Sequence, residues 1–256
     1  MKKNSLLFSM LLMLQGIAFF SCQNQAEITP LEANSTTEEN VIALNSEPSS
    51  IDLEKGLVAY YPFSASLKDY SNSHYDGVAM GTVPFTTDRR GKKNSAIQGG
   101  AGYLKASPLV FQFQRNQKYS ISVWFTITGN TISGRLISTE NPEGGFRMCA
   151  TNPNDPVVAG NNFVVAYGDY FFDLFTLNKW HNYVYTYDNR NIKVYIDGVL
   201  KHTWVDTDYA TLHYGAPFTI GAKASAAYDL WSGNIDEVRV YNRVLSANEA
   251  LYISKN

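Results

Sequence analysis

The chain has 256 residues, a formal net charge of −2 and 17% charged side chains. This near-neutral balance offers no basic patch for a nucleic acid, so we expect no nucleic-acid partner. Aromatic side chains make up 14% of the chain and include 17 tyrosines, a composition typical of an all-β protein with many turns.

Residues 1–22 have the pattern of a targeting segment. Two lysines begin it, an apolar run extends from Leu6 to Phe20, and it ends at Cys22. The run is about 15 residues, which is short for a membrane-spanning helix. A cysteine directly after a small residue resembles a bacterial lipoprotein signal, in which Cys22 carries the lipid, although Phe19 departs from the usual Leu or Val. An ordinary cleaved signal with an incidental cysteine is the alternative.

Residues 23–55 are rich in Gln, Asn, Ser, Thr, Glu and Pro, and we expect them to form a disordered tether. The segment has one base, Lys55, and seven acids: Glu27, Glu32, Glu38, Glu39, Glu47, Asp52 and Glu54. A lipid on Cys22 followed by this tether would hold a domain away from a membrane. We therefore expect an outer-membrane lipoprotein of the cell envelope, on either its periplasmic or its surface side.

Residues 56–256 read as one β domain. Alternating or apolar segments separated by turn-forming residues predict strands at 57–63, 83–87, 119–128, 136–138, 146–150 and 162–167. Three glycines in 96–104 permit a bulge or a close backbone approach, and 171–177 leads into the hairpin described next. A polar loop is expected at 67–77. About 200 residues are sufficient for a single sandwich with one core.

A predicted hairpin follows these strands. Tyr183, Tyr185 and Tyr187 alternate with smaller side chains, which is the period of a strand. The segment 188–191 has turn-forming residues, and a second strand leads to another turn at 197–198.

Several motifs in this half of the chain resemble a laminin-G-like domain of the concanavalin A-like lectin and glucanase superfamily. They are WHNYVYTYD at 180–188, YIDG at 195–198 and GNIDEVRVYNRVLS at 233–246, with further similarity at 56–77 and 119–125. The resemblance implies a two-sheet antiparallel jelly-roll β-sandwich. The capping-box pair Ser246 and Glu249 predicts a short C-terminal helix beside it.

Asp236 is the strongest candidate for a metal ligand. On a regular strand it would share a face with Val238 and Val240, and would therefore point towards the core. A buried carboxylate must be neutralised, hydrogen-bonded or metal-bound. The resemblance implies a structural Ca²⁺ held by Asp236 and by Asp69 and Asn72 of the loop after the first strand. The alternatives are that Asp236 accepts backbone N–H groups with no ion and that Asp69 is a surface turn residue.

The local pattern gives no sign of catalysis. Superfamily hydrolases carry carboxylates at alternate positions of one strand, whereas Ser232, Asn234, Val238 and Val240 flank Asp236 at those positions. Glu237 and Arg239 are expected to form an exposed ion pair. The four histidines lack zinc spacing.

Aromatic residues in two variable segments are the candidates for a sugar platform, because pyranose faces are apolar and their edges are polar. They are Trp204, Tyr209, Tyr214 and Tyr228, with packing as the alternative role for Trp204 and Tyr209. The leading hypothesis is a non-catalytic module that binds a glycan or an envelope protein. A glycoside hydrolase or polysaccharide lyase with an unusual site, and a structural envelope subunit, are the alternatives.

Overall fold

A computed structural model describes residues 51–114, 116–128, 134–140, 145–151, 162–165, 173–206, 216–224 and 229–256. Ser50–Asn256 forms one compact unit. The strands within the described residues are β1 (Leu57–Tyr61), β2 (Val78–Gly81), β3 (Phe85–Thr86), β4 (Ala96–Gln98), β5 (Gly102–Ala106), β6 (Lys118–Phe125), β7 (Arg135–Ser138), β8 (Arg147–Thr151), β9 (Asn162–Val165), β10 (Asp173–Leu174), β11 (His181–Asp188), β12 (Asn191–Ile196), β13 (Val199–Val205), β14 (Phe218–Ile220) and β15 (Asn234–Tyr241). A 3-10 turn, Pro108–Val110, precedes β6, and the helix α1 (Ala247–Lys255) follows β15.

The strands form two sheets, and every pairing is antiparallel. The first sheet has the order β13-β12-β11-β6-β15-β4-β3, with β1 also paired to β15. The second has the order β10-β9-β8-β7-β14-β5-β2. This confirms the predicted two-sheet antiparallel sandwich with one short C-terminal helix.

Two tight turns join β11, β12 and β13 of the first sheet. Asp197 and Gly198, between β12 and β13, both have positive φ, 51° and 81°, which is the backbone of a two-residue turn that matches strand twist. Asn189 and Arg190, between β11 and β12, also have positive φ. The Arg190 side chain donates from Nε to the Asp206 carbonyl at 2.8 Å, and this bond helps to hold an unfavourable backbone conformation.

The core between the sheets is strongly aromatic. Tyr119 stacks on Phe113 and Tyr187 at centroid distances of 4.9 Å in both cases. Trp231 is fully buried, lies edge-on to Phe125 at 5.5 Å and donates its indole N–H to the Thr126 carbonyl at 3.1 Å. Trp231 therefore has a packing role in the main core.

Helix α1 lies on the outer face of the first sheet. Leu245, Ala250 and Ile253 pack there with Val184 and Tyr241 in a cluster separate from the main core. Both reciprocal bonds of the predicted Ser246–Glu249 capping box are present. No helix in the described part of the chain is long and apolar enough to cross a membrane.

A β-bulge in β15 makes the prediction for the orientation of Asp236 wrong. The pairing with β6 shifts register between Asp236 and Arg239, and Glu237 has a φ of 52°. The extra residue reverses the alternation. Val238 and Val240 face the core as expected, but Asp236 lies opposite Trp124 on the outer face of the sheet.

Three smaller expectations also differ from the fold. The first strand ends at Tyr61, and β2 lies at residues 78–81, where the sequence predicted no strand. All four β2 residues are exposed at the sheet edge, so β2 lacks the alternating apolar signal of a half-buried strand. The Glu237–Arg239 ion pair forms, but it is largely buried rather than exposed, because Tyr60 stacks on Arg239 and donates its hydroxyl to Glu237.

Candidate functional site

A group of four charged side chains linked by ion pairs lies on the second sheet, at the ends of β7 and β8. We name it the Glu140 cluster and define it by five residues: Arg135, Ser138, Glu140, Arg147 and Asp229. It combines buried ion pairs with a partly exposed edge, and it is the best candidate for a functional site among the described residues.

Strand alternation brings the cluster together. Arg135 lies opposite Cys149, and Ser138 lies opposite Arg147. Leu136, Phe146 and Met148, which lie beside them in sequence, belong to the core. Successive strand residues point to opposite faces, so Arg135 and Arg147 are directed away from the core. Glu140 follows directly after β7, and Asp229 reaches the cluster because its carbonyl accepts the Arg135 backbone N–H at 2.8 Å.

The Glu140 carboxylate is fully engaged. One oxygen accepts Arg135 Nε at 2.7 Å and the Ser138 hydroxyl at 3.1 Å. The other accepts Arg147 Nη1 at 3.1 Å and Arg135 Nη2 at 3.5 Å. Arg135 Nη2 also lies 3.6 Å from an Asp229 oxygen. Glu140 therefore fixes the positions of two guanidinium groups, and charge-assisted bonds of this kind are among the strongest side-chain interactions.

The electrostatics of the cluster keep its groups charged. Burial alone would raise the pKa of Glu140, but the bonds and charges of Arg135 and Arg147 outweigh it and lower that pKa below its usual value. Burial would lower the pKa of Arg135, and Glu140 reverses this, so the pKa of Arg135 is raised. Burial raises the pKa of the neighbouring Cys149 thiol, which favours the inert thiol over a nucleophilic thiolate.

Two members of the cluster form its solvent edge. The exposed fraction of the side chain is 6% for Glu140 and 11% for Arg135, against 23% for Asp229 and 34% for Arg147. Arg147 can donate hydrogen bonds to a ligand and Asp229 can accept them. The more buried Glu140 and Arg135 contact these two side chains and restrict their positions.

The residues predicted as metal ligands have other partners. The Asp69 carboxylate accepts the backbone N–H groups of Tyr60, Ser71 and Tyr75, each at 2.8 Å, and the Ser71 hydroxyl at 2.9 Å. Asp69 thus closes the loop after β1 and is 2% exposed, so it is not a surface turn residue. Asn72 is exposed.

Asp236 lies in a closed pocket on the first sheet. Its carboxylate contacts Arg89 Nη1 at 3.1 Å and accepts the Glu237 N–H at 2.8 Å. Arg89 lies over the Trp124 ring at 4.6 Å and donates to the Asn256 carbonyl at 2.5 Å. Burial and the nearby Glu237 charge raise the pKa of Asp236 to about 8, although Arg89 lowers it.

This arrangement does not fit the Ca²⁺ site that the sequence predicts. The lone pairs of Asp69 are taken by four donors, and a cation, Arg89, already occupies the position beside Asp236. In the described ranges, no group of three or more His, Cys, Asp or Glu side chains could hold a metal ion. Ca²⁺ prefers six or more oxygen ligands. The site remains a prediction that needs its own test.

The predicted sugar platform is only partly within the described residues. Trp204 lies opposite Ile192, packs against the main core and meets Tyr185 edge-on at 6.5 Å. It is half-buried, so its packing role is evident. Tyr209, Tyr214, Tyr228 and the lipidation candidate Cys22 lie outside the described residues.

The sequence did not point to the Glu140 cluster. Residues 140–145 read as an ordinary turn, and Arg135 lies next to a short apolar strand. One signal was available: Arg147 sits between Phe146 and Met148 in a segment predicted to be a strand, and a cation there needs a nearby carboxylate.

Comparison with solved structures shows a similar fold in three domains from other proteins. Domain 4 of AbnA, a GH43 extracellular arabinanase from Geobacillus stearothermophilus, in complex with arabinotriose, is 20% identical with a TM-score of 0.61, and the match covers 77% of this chain and 98% of that one. The receptor-binding domain of botulinum neurotoxin mosaic serotype C/D is 15% identical with a TM-score of 0.60. The binding domain of botulinum neurotoxin DC, in complex with rat synaptotagmin II, is 14% identical with a TM-score of 0.54.

The match to each toxin domain covers 80% of this chain but only 51% and 52% of the toxin chains, so this chain spans about half of each. At these sequence identities the three comparisons establish a similar fold and nothing about function. None of the curated proteins matches the sequence significantly.

A laminin G family model, described as the concanavalin A-like lectin/glucanases superfamily, matches residues 98–250. The matched segment extends from β4 to α1 and includes every member of the Glu140 cluster. Both the fold and the sequence therefore lead to one conclusion: the chain belongs to the laminin G family of the concanavalin A-like lectin/glucanases superfamily.

Proposed function

We propose that this protein is a non-catalytic glycan-binding module of the bacterial cell envelope, and that the Glu140 cluster is its binding site. The observation that carries the proposal is the solvent edge of that cluster, where Arg147 and Asp229 are partly exposed and the largely buried Glu140 and Arg135 contact them from the core side. Sugar hydroxyls both donate and accept, and a rigid donor beside a rigid acceptor suits them.

Preorganisation supports binding at this position. A flexible arginine loses side-chain entropy when it binds a ligand, and this loss reduces affinity. The contact of Arg147 Nη1 with Glu140 at 3.1 Å already restricts that side chain. The arabinanase domain of similar fold is in complex with arabinotriose, which makes an oligosaccharide a reasonable class of ligand for the same type of sandwich.

The charge states of the cluster favour binding over hydrolysis. Two-carboxylate glycoside hydrolysis needs one protonated carboxyl group as the general acid. The lowered pKa of Glu140 keeps it ionised at neutral pH. Asp236 has a raised pKa, but Arg89 covers it and it is only 1% exposed. A polysaccharide therefore cannot reach it.

The cell-envelope location rests on the N-terminal sequence. The signal-like segment, Cys22 and the acidic tether support a lipid-anchored protein whose domain stands off the membrane. Replacing Cys22 with Ser and measuring lipid incorporation and membrane fractionation tests this part. An unlipidated wild-type chain would contradict it.

The binding test uses the chain from Gln23 onward, which lacks the proposed lipid anchor, with arabinotriose and immobilised neutral and acidic polysaccharides as probes. Arg147→Ala should weaken the binding of any retained glycan at least tenfold, and Asp229→Asn should weaken it to a lesser degree. Arg90→Ala is the matched control, because Arg90 is an exposed arginine outside the cluster. Equal binding by the Arg147 and Arg90 variants would contradict the proposed site.

A further inference from the structure

Four side chains form an exposed patch at one edge of the second sheet, on the strands β2 and β5. In the antiparallel pairing of these strands, Val78 lies opposite Lys105 and Met80 lies opposite Tyr103. Leu104, between Tyr103 and Lys105, belongs to the main core, so the four side chains face away from that core. Val78 is 63% and Met80 37% exposed, Lys105 is exposed, and Tyr103 is partly exposed. We name these four residues the Tyr103 patch.

Tyr103 has the surroundings of a binding platform rather than those of a core residue. It belongs to neither apolar cluster of the fold. Gly221 lies directly beside it, because a Cβ atom placed on Gly221 would be 3.7 Å from the Tyr103 Cβ. A position without a side chain therefore flanks the ring on one side, and Met80 flanks it on the other. An accessible aromatic ring beside an apolar side chain suits the apolar face of a sugar ring.

Lys105 gives the Tyr103 patch a positive charge. The strands β2, β5 and β14 contain no acidic residue. Within the part of the chain that the structure describes, no ion pair involves Lys105. The carboxylate of Asp76, which precedes β2, accepts the Asp69 N–H at 3.0 Å. The ammonium group of Lys105 can therefore pair with an anionic group on a ligand.

One row of paired residues connects the Tyr103 patch to the Glu140 cluster. Lys105 lies opposite Thr219, Thr219 opposite Ser138, and Ser138 opposite Arg147. Side chains of directly opposite residues share a face, and three strand spacings place the backbones of Lys105 and Arg147 about 14 Å apart. The segment after β14 crosses the middle of this row, where the Ala222 carbonyl accepts the Thr219 hydroxyl at 2.8 Å. A ligand that reaches both ends would pass over this segment.

We propose that the Tyr103 patch is a second glycan subsite, which takes a sugar residue that carries an anionic group such as a carboxylate or a sulfate. The apolar face of the sugar packs on Tyr103 and Met80, and the anionic group pairs with Lys105. This inference rests on the proposed function, because the same glycan chain extends along the row to the Glu140 cluster. That cluster has two arginines and two carboxylates, so a preference for anionic glycans comes from Lys105.

Two matched pairs of immobilised polymers test this preference. They are polygalacturonate against the same polymer after carboxyl reduction, and dextran sulfate against dextran. We expect the chain from Gln23 onward to bind the anionic member of at least one pair roughly tenfold more tightly than the neutral member. The difference should shrink at about 1 M salt, which screens exposed charges. The pair that shows the difference identifies the anionic group.

Variants assign the preference to the Tyr103 patch. Lys105→Ala should remove it, whereas Lys193→Ala, at an exposed lysine on β12 of the first sheet, should keep it. Tyr103→Ala should weaken the binding of both members of the pair roughly tenfold. Tyr103→Phe keeps the ring and should bind as the wild type does. Thermal melts of each variant confirm that the fold is intact.

Two results would overturn the proposal. One is a wild type that binds the anionic and neutral members of both pairs equally, and the other is a preference that Lys105→Ala leaves intact. Both results leave the proposed function standing. That function fails separately if Arg147→Ala does not weaken the binding of any retained glycan.

Discussion

Glu140 on the second sheet and Asp236 on the first are both buried carboxylates beside arginine, yet their pKa values shift in opposite directions. Glu140 receives bonds from two arginines and a serine hydroxyl, and its pKa is lowered. Asp236 contacts one arginine and accepts one backbone N–H. Burial and the adjacent Glu237 charge raise its pKa. The number of donors, rather than burial alone, decides which charge state the fold supports.

The two environments also differ in access to solvent. Asp236 lies beneath Arg89, which bridges it to the Asn256 carbonyl beyond α1. The Glu140 cluster opens to solvent through Arg147. These differences support a structural role for Asp236 and the proposed binding role for the Glu140 cluster.

The largest expected effect is on stability at Glu140. Glu140→Gln would remove the counter-charge of the largely buried Arg135 guanidinium and of the partly exposed Arg147 guanidinium, and we expect the free energy of unfolding to fall by about 3 kcal/mol. Urea denaturation measures this change. Asp236→Asn at pH 7 is the matched comparison and should cost less than half as much. Equal losses at the two positions would remove the distinction between them.

The stability of Asp236→Asn relative to the wild type should depend on pH, because the fold favours the protonated form of Asp236. The folded-state pKa of about 8 lies above the ordinary value of 3.8. Asp236 therefore supports folding fully below pH 4, and its contribution is lost as the pH rises through 8. We expect the variant to gain stability relative to the wild type between pH 5 and 9, measured by urea denaturation at each pH.

Glu140 should behave in the reverse sense. Its folded-state pKa is lowered, so its contribution is present above the ordinary value of 4.5 and is lost as the pH falls through the folded-state pKa. The difference between the wild type and Glu140→Gln should therefore shrink on acidification. A difference that grows at low pH would show that the cluster is held by something other than its charges.

A smaller effect is expected at the helix that covers the first sheet. Ser246→Ala removes the N-cap bond to the Glu249 N–H and should lower the free energy of unfolding by about 1 kcal/mol. Ser254→Ala, near the other end of α1, is the control and should change it by less than about 0.5 kcal/mol. Similar losses in the two variants would argue against the cap as the source of the effect.

No effect is expected from calcium removal. A Ca²⁺ at 100 times its Kd would stabilise the fold by about 2.7 kcal/mol, a shift of several degrees in the thermal midpoint. Because Asp69 and Asp236 are already satisfied by protein donors, melts with chelator and with added Ca²⁺ should coincide. A lower midpoint in chelator that Ca²⁺ restores, and that Asp236→Ala abolishes, would favour the metal site predicted from the sequence.

Local signals predicted the hairpins and the helix, but not the site. The turns at 188–191 and 197–198 and the Ser246–Glu249 capping box each depend on residues within a few positions of one another, and each was predicted. The bulge at Glu237 was missed because the sequence around it has the alternation of a regular strand. The Glu140 cluster was missed because it joins β7, the turn after it, β8 and a residue about 90 positions away, which only the fold brings together.

The most direct test of the central claim is amide hydrogen exchange of the mature chain, with and without a polysaccharide that it retains. We predict new protection at Arg135–Glu140 and Phe146–Cys149 on the second sheet, and no change at Trp124 or Asp236 on the first. Protection confined to the outer face of the first sheet, with none at the Glu140 cluster, would contradict the assignment.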